Sequence, residues 1–427
     1  MSDTTGQGAA QAEHRGATQT EHPGEAPAEL RGEAQADRQD AARGEQPTDE
    51  ERRASLRERR IGAYRNARRV LARAGFQATL RERLALLAEA QDLYDLDEPS
   101  DLYGNGIVAA LETKVAGLLG KDAAAFFPTG TMAQQVALRC WAARTGNATV
   151  ALHALAHPEV HERHALSQVS GLRPVRVTGE PRLPTADEVR GLDEPFGALM
   201  LELPLRDAGF VLPSWQELTE VVEAAREREA VVHFDGARLW ESATHFGRPL
   251  DEIADLADSV YVSFYKSLDG YGGAALAGPG ELVEEAKAWR HRYGGTVYQQ
   301  FPTVLSALAG LERELPRLPD YVRHARVVAA ALREGFAAAG VPWSRVHPDE
   351  PHVNAFQVWL PYDPDALAEA AIRTAGETGT MLFTNGWETT GPGLSSTEVY
   401  VRADGLDWTA DEVRAAVAEF TARLGDL

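Results

Sequence analysis

The sequence predicts an α/β protein: a large domain on a mainly parallel sheet, followed by a smaller α+β domain at the C-terminus. Two observations carry this reading. From about residue 123, short apolar runs of strand length alternate with amphipathic helical stretches, the pattern of strands covered on both faces. Beyond about Gly310 the pattern changes, and helical stretches such as "DYVRHARVVAAALREGFAAAG" alternate with strand-like "HVNAFQVWLP" and "EVYVRADG". A third observation sets the N-terminal limit. Residues 1–55 hold almost no large apolar side chain. Such a segment cannot bury enough surface to offset its ordering entropy and reads as a disordered tail.

The elements follow in order. Residues 56–98 read as an N-terminal helical segment interrupted near Gly75. The large domain spans residues 99–310. It opens with the loop "DEPSDLYGNG" and a helix, "GIVAALETKVAGLLG", whose Gly120 suits a C-cap. "AAAFFPTGTMAQQVALRCWA" reads as a strand, a turn over Pro128–Thr131 and a helix. Further strands are "ATVALH", "GALMLELP", "AVVHFDG" and "DSVYVSFYK". The small domain is residues 311–427.

Composition bounds the partners. A formal net charge of −21 opposes binding to nucleic acid or an anionic membrane, since both need basic surface. No apolar run is long enough to span a bilayer, and the N-terminal stretch lacks the apolar segment of a secretory signal. The single Cys140 forms no internal disulfide and builds no zinc site by itself. A cytoplasmic protein is expected.

The chemistry concentrates on one rim. Only four of the 43 basic residues are lysines, and Lys266 sits among small and apolar neighbours in "VSFYKSLDGYGGAALAG". A buried ammonium is costly unless paired or neutralised. The strand "AVVHF" delivers Asp235 to its carboxyl end, and the next strand delivers Lys266 to the same edge, where ligands of open α/β sheets bind. The turn "PTGT" opens a helix, and small residues there let N–H groups approach an anion. Each piece has a plainer use. An aspartate after a strand also caps helices, and "GYGG" also serves as packing around the lysine. Together, phosphate cradle, carboxylate and lysine point to pyridoxal 5'-phosphate (PLP).

"DLYGNG...LETKVAGLLGKDAAAFFPTGTMAQQVAL", "HFDGARLWES" and "SFYKSLDGYGGAALAG" carry a family likeness. From about Asp101 to Arg402 the chain resembles the threonine aldolase and β-eliminating lyase family, PLP enzymes of the aspartate aminotransferase-like fold (fold type I). The resemblance implies Lys266 as the Schiff-base lysine and Asp235 as partner of the pyridinium nitrogen. Gly130 and Thr131 would hold the phosphate. Arg238 and Arg402 would bind the substrate carboxylate, a good match for a guanidinium fork. His157 would stack on the ring and is the candidate base. His153, His157 and His161 recur every four residues beside Glu162, but no clear metal-ligand set emerges. A homodimer or homotetramer is implied, with Asp101 and Tyr103 reaching a neighbouring subunit's site.

The expected reaction is cleavage of a β-hydroxy amino acid to glycine and an aldehyde. β-Elimination, amino transfer, or a catalytically silent binding protein on the same fold remain open. Two departures from the family pattern bear on the substrate. Leu205 stands where the family has a second histidine, and Tyr298 where it often has an arginine. A leucine facing the substrate would favour bulky, phenylserine-like side chains over threonine.

Overall fold

The protein is described by a computed structural model. It describes residues 48–73 and 78–425, and most of the expected tail lies outside them. The helix Asp49–Asn66 begins inside the span assigned to that tail and is followed by β1 (Arg69–Val70). Further helices cover Leu80–Ala88 and Ile107–Leu118.

Seven strands then build the central sheet: β2 (Ala123–Phe127), β3 (Thr149–Leu152), β4 (Arg173–Arg176), β5 (Ala198–Glu202), β6 (Val231–Gly236), β7 (Ser259–Ser263) and β8 (Ala274–Gly278). Their spatial order is β2-β8-β7-β6-β5-β3-β4. All neighbours pair in parallel except β8, which runs antiparallel to both β2 and β7. Two reversals leave β2 pointing the same way as β7, so both end at one rim. Every residue of β5, β7 and β8 is buried, as expected of strands with helices on both faces.

β4 and β8 are absent from the sequence reading. β4 is an edge strand, "RPVR", where Pro174 is tolerated because one side of the ladder is unpaired. β8 is "AALAG", small residues without alternation inside the Gly-rich block that follows Lys266.

The remaining strands are β9 (Arg345–His347), β10 (Ala355–Leu360), β11 (Thr380–Met381), β12 (Glu388–Gly391) and β13 (Leu394–Tyr400). Four of them form an antiparallel sheet ordered β12-β13-β10-β9, and β11 pairs with β1. An apolar core around Phe336, Phe356, Phe383 and Phe420 joins this sheet to helices Leu318–Ala338, Pro364–Thr378 and Ala410–Gly425. Tyr64 and Val70 belong to the same core. The N-terminal segment therefore packs with the C-terminal layer, held further by Arg59–Glu369 at 2.7 Å and by Arg60 donating to the Thr384 carbonyl. Residues 53–427 form one compact unit, and the helix Phe301–Arg313 runs across the boundary expected at 310/311.

Candidate active site

Register places the acid and the lysine. Asp235 pairs across from Glu202 of β5 and Tyr261 of β7 at the carboxyl rim, and Lys266 follows three residues after β7 ends. At the same rim the helix Gly130–Thr145 starts directly after the β2 turn, and the Thr129 hydroxyl caps it by accepting the Met132 N–H at 3.3 Å. Glycine is required at position 130, because a Cβ there would lie 2.1 Å from the Tyr261 hydroxyl oxygen. Gly130, Thr131, Gln134, His157, Asp235 and Lys266 line one cavity of about 400 Å³. A helix N-terminus in that wall favours an anion.

The charges in this cavity constrain each other. Asp235 is buried, and its Oδ1 accepts the Ala237 N–H at 3.1 Å. Burial pushes its carboxyl up, against the pull of Lys266 and His157. Lys266 is lowered to about 8, first by burial and then by Arg238. Burial alone would lower His157. Glu162, whose Oε1 lies 3.4 Å from His157 Nδ1, and then Asp235 outweigh it, so the imidazole is raised. His153 and His161 turn elsewhere, to the Glu180 carbonyl and the Asp207 carboxylate.

Three side chains to which the sequence reading assigns no role in this site complete the cavity's support. Glu202 accepts the His157 backbone N–H at 2.7 Å and that of Arg206 at 3.2 Å, tying the histidine turn to the next loop. It is raised to about 7, mainly by burial and then by Asp235. Glu162 orients His157. Gln134 lies behind them in a chain: its Oε1 bonds His233 Nε2 at 2.6 Å, His233 Nδ1 bonds the Ser259 hydroxyl at 2.8 Å, and Trp141 donates to that hydroxyl. Burial drops His233 to about 3, so the ring is neutral. The chain fixes Gln134 with its Nε2 unpartnered at the cavity wall. An orphaned donor, a helix N-terminus and a buried carboxylate with a lysine lowered to about 8 fit PLP, whose phosphate accepts and whose ring nitrogen carries a proton.

A second, larger cavity of about 780 Å³ shares Tyr265, Lys266 and Tyr271 with the first and takes in Arg238, Arg402, Glu398 and Tyr400. Arg238 is buried, donates to the Tyr400 hydroxyl at 3.1 Å and lies over the Phe210 ring at 5.1 Å. Arg402 donates to the Lys266 carbonyl and sits 3.5 Å from Asp269. The seven residues assigned from the sequence to cofactor, substrate or catalysis thus each line one of two cavities that share Lys266.

Two expectations need correction. Leu205 does not face the substrate: it is 1% exposed in the apolar core, bridges to Val211 and lines neither cavity. Asp101 serves its own chain. It is fully buried and accepts the N–H groups of Gln300 and Phe301, capping the helix Phe301–Arg313.

Glu241 gives a stability prediction. It is 1% exposed, accepts the Ser267 hydroxyl at 2.5 Å and leaves Oε2 unpartnered. Burial pushes it up to about 7, against Ser267 and Arg238. Its folded value lies above its unfolded one, so its stabilising protonation is complete below about pH 4 and lost as pH rises through about 7. Melting temperatures of Glu241→Gln should therefore vary less than wild type between pH 5 and 8, the carboxyl accounting for up to about 3 kcal/mol. Parallel profiles for the two proteins would show that the carboxyl is ionised throughout.

The fold and this site define a fold type I PLP-dependent enzyme. A family model described as beta-eliminating lyase matches residues 92–349. The chain belongs to that family of PLP-dependent lyases, and PLP is its cofactor. It is similar to the low specificity L-threonine aldolase of Escherichia coli (strain K12), at 31% identity over 244 residues, 56% of this chain and 72% of that protein. Two crystal structures align with TM-scores of 0.77 and 33% identity, each covering 86% of this chain and 99% of the other. One is a candidate L-allo-threonine aldolase from Listeria monocytogenes EGD-E. The other is a candidate aromatic amino acid beta-eliminating lyase/threonine aldolase from Exiguobacterium sp. 255-15.

Proposed function

We propose that this protein is an aldolase that cleaves a β-hydroxy-α-amino acid to glycine and an aldehyde. The observation that carries the reading is the shared position of Lys266: it lines both the cavity that holds the PLP-suited groups with His157 and Glu162, and the cavity that holds the two arginines. Threonine aldolase relatives support it.

Lys266 would hold the cofactor covalently, Asp235 would pair with its ring nitrogen, and Gly130, Thr131 and Gln134 would take the phosphate. Bound PLP supplies an electron sink for the pair left when the Cα–Cβ bond breaks. Arg238 and Arg402 take the substrate carboxylate and so fix which Cα bond faces the ring. His157, oriented by Glu162, would face the bound cofactor and take the β-hydroxyl proton that aldehyde release requires.

Incubating the purified holoenzyme with a panel of β-hydroxy amino acids should release glycine and aldehyde in equal amounts. Ammonia and a keto acid from β-substituted amino acids, with no glycine from any of the panel, would replace cleavage by β-elimination. The same reading includes a homodimer or homotetramer in the cytoplasm. Its support is an exposed aromatic pair, Tyr103 and Tyr298, in edge contact at 5.4 Å beside exposed Leu102, Val297 and Phe301. No helix among the described residues is long and apolar enough to cross a membrane.

A further inference from the structure

We infer that the helix Leu80–Ala88 forms an apolar side-chain subsite, so that the substrate is an amino acid with a large apolar or aromatic side chain. This rests on the reading of the Lys266 cavities as an amino-acid site, and it places the specificity wall on an N-terminal helix. Leu80, Leu84 and Leu87 recur at i, i+4 and i+7, the spacing of one helical face, and all three line the cavity of about 780 Å³ that holds Lys266, Arg238 and Arg402. Leu80 is 85% and Leu84 67% exposed, an apolar face that no side chain among the described residues covers fully. Cavities of about 300–1,000 Å³ bury drug-sized ligands, whereas threonine offers one methyl group beyond its polar atoms.

The helix is fastened over the lysine loop rather than loosely attached. A capping box between Thr79 and Glu82 starts it. Arg83 stacks on Tyr271 at 4.6 Å, donates to the Asp269 carbonyl at 3.3 Å and pairs with its carboxylate, and the Tyr271 hydroxyl donates to the Arg83 carbonyl. Tyr271 and Asp269 flank the same cavity, and Arg402 holds Asp269 from the other side. An amino acid with its carboxylate on Arg238 and Arg402 would place its side chain in the cavity that Leu80, Leu84 and Leu87 also line.

The test is calorimetric titration of the PLP-loaded protein with L-phenylalanine and L-alanine. Neither has a β-hydroxyl, so the outcome does not depend on which bond the enzyme breaks. Phenylalanine should bind about tenfold tighter than alanine in the wild type, the scale of a ring buried against two leucines. Leu84→Ser should narrow that ratio to under about threefold, and the more exposed Leu80→Ser should narrow it in the same direction. A wild-type ratio near one, or an unchanged ratio in both variants, overturns the subsite. A variant that drops to a smaller species in light scattering while the ratio holds shows instead that the leucine face is a subunit contact, which also overturns it. Failure of the aldolase reading alone appears separately, as absence of glycine from every β-hydroxy amino acid.

Discussion

Replacing Lys266 with alanine should reduce turnover by on the order of 10⁴-fold, about 5 kcal/mol of transition-state free energy. No other lysine can substitute. Lys114 pairs with Glu312 at 3.0 Å, Lys287 with Glu284 at 3.1 Å, and Lys121 donates to the Ala257 carbonyl at 2.7 Å; none lines either cavity. The variant should also lose the cofactor on dialysis, because the remaining contacts are noncovalent. The amine's own state gives a finer readout. Held at about 8 by burial and Arg238, it becomes a neutral nucleophile above that pH. Uptake of PLP by the cofactor-free wild type should therefore accelerate as pH rises through about 8, well below the range of an ordinary lysine.

Asp235→Ala should slow turnover by roughly 10³-fold, about 4 kcal/mol, while retaining part of the cofactor. The carboxylate lies in the sheet where burial disfavours its charge, so a cation at the cofactor's ring nitrogen is its natural partner. Without it nothing buried beside the cofactor's ring nitrogen would hold a proton there, and the electron sink would weaken. Asp235→Asn keeps the shape and the Ala237 contact, so it separates charge from packing. The measurement is kcat beside retained PLP, and near-normal kcat in both variants would assign the task to Glu202 or Glu162.

Much of this site is legible in the sequence because topology does the assembly. Parallel strands deliver their carboxyl ends to one rim, so Asp235 at the end of "VVHFD" and Lys266 past "SVYVS" are brought together by strand order alone. The supporting polar groups are not legible in this way. Nothing local in "MAQQVAL" says that Gln134 rather than Gln135 meets a histidine ninety-nine residues later, nor that Glu202 reaches back to the His157 turn. β8 is hidden because "AALAG" has neither alternation nor β-branched residues; only its position between β2 and β7 makes it a strand. Leu205 misleads for the opposite reason. Its place in a linear motif suggests a site position, while its bridge to Val211 turns it into the core. The helical character of "LRERLALLA" can be read from its leucines, but its seat above the lysine loop depends on Arg83 and Asp269, far apart in the chain.

The most direct test of the account is borohydride reduction of the purified PLP-loaded protein followed by peptide mapping of the fixed cofactor. The account predicts a single labelled peptide carrying the pyridoxyl group on Lys266. Label on Lys114, Lys121 or Lys287, with Lys266 unmodified, would contradict it.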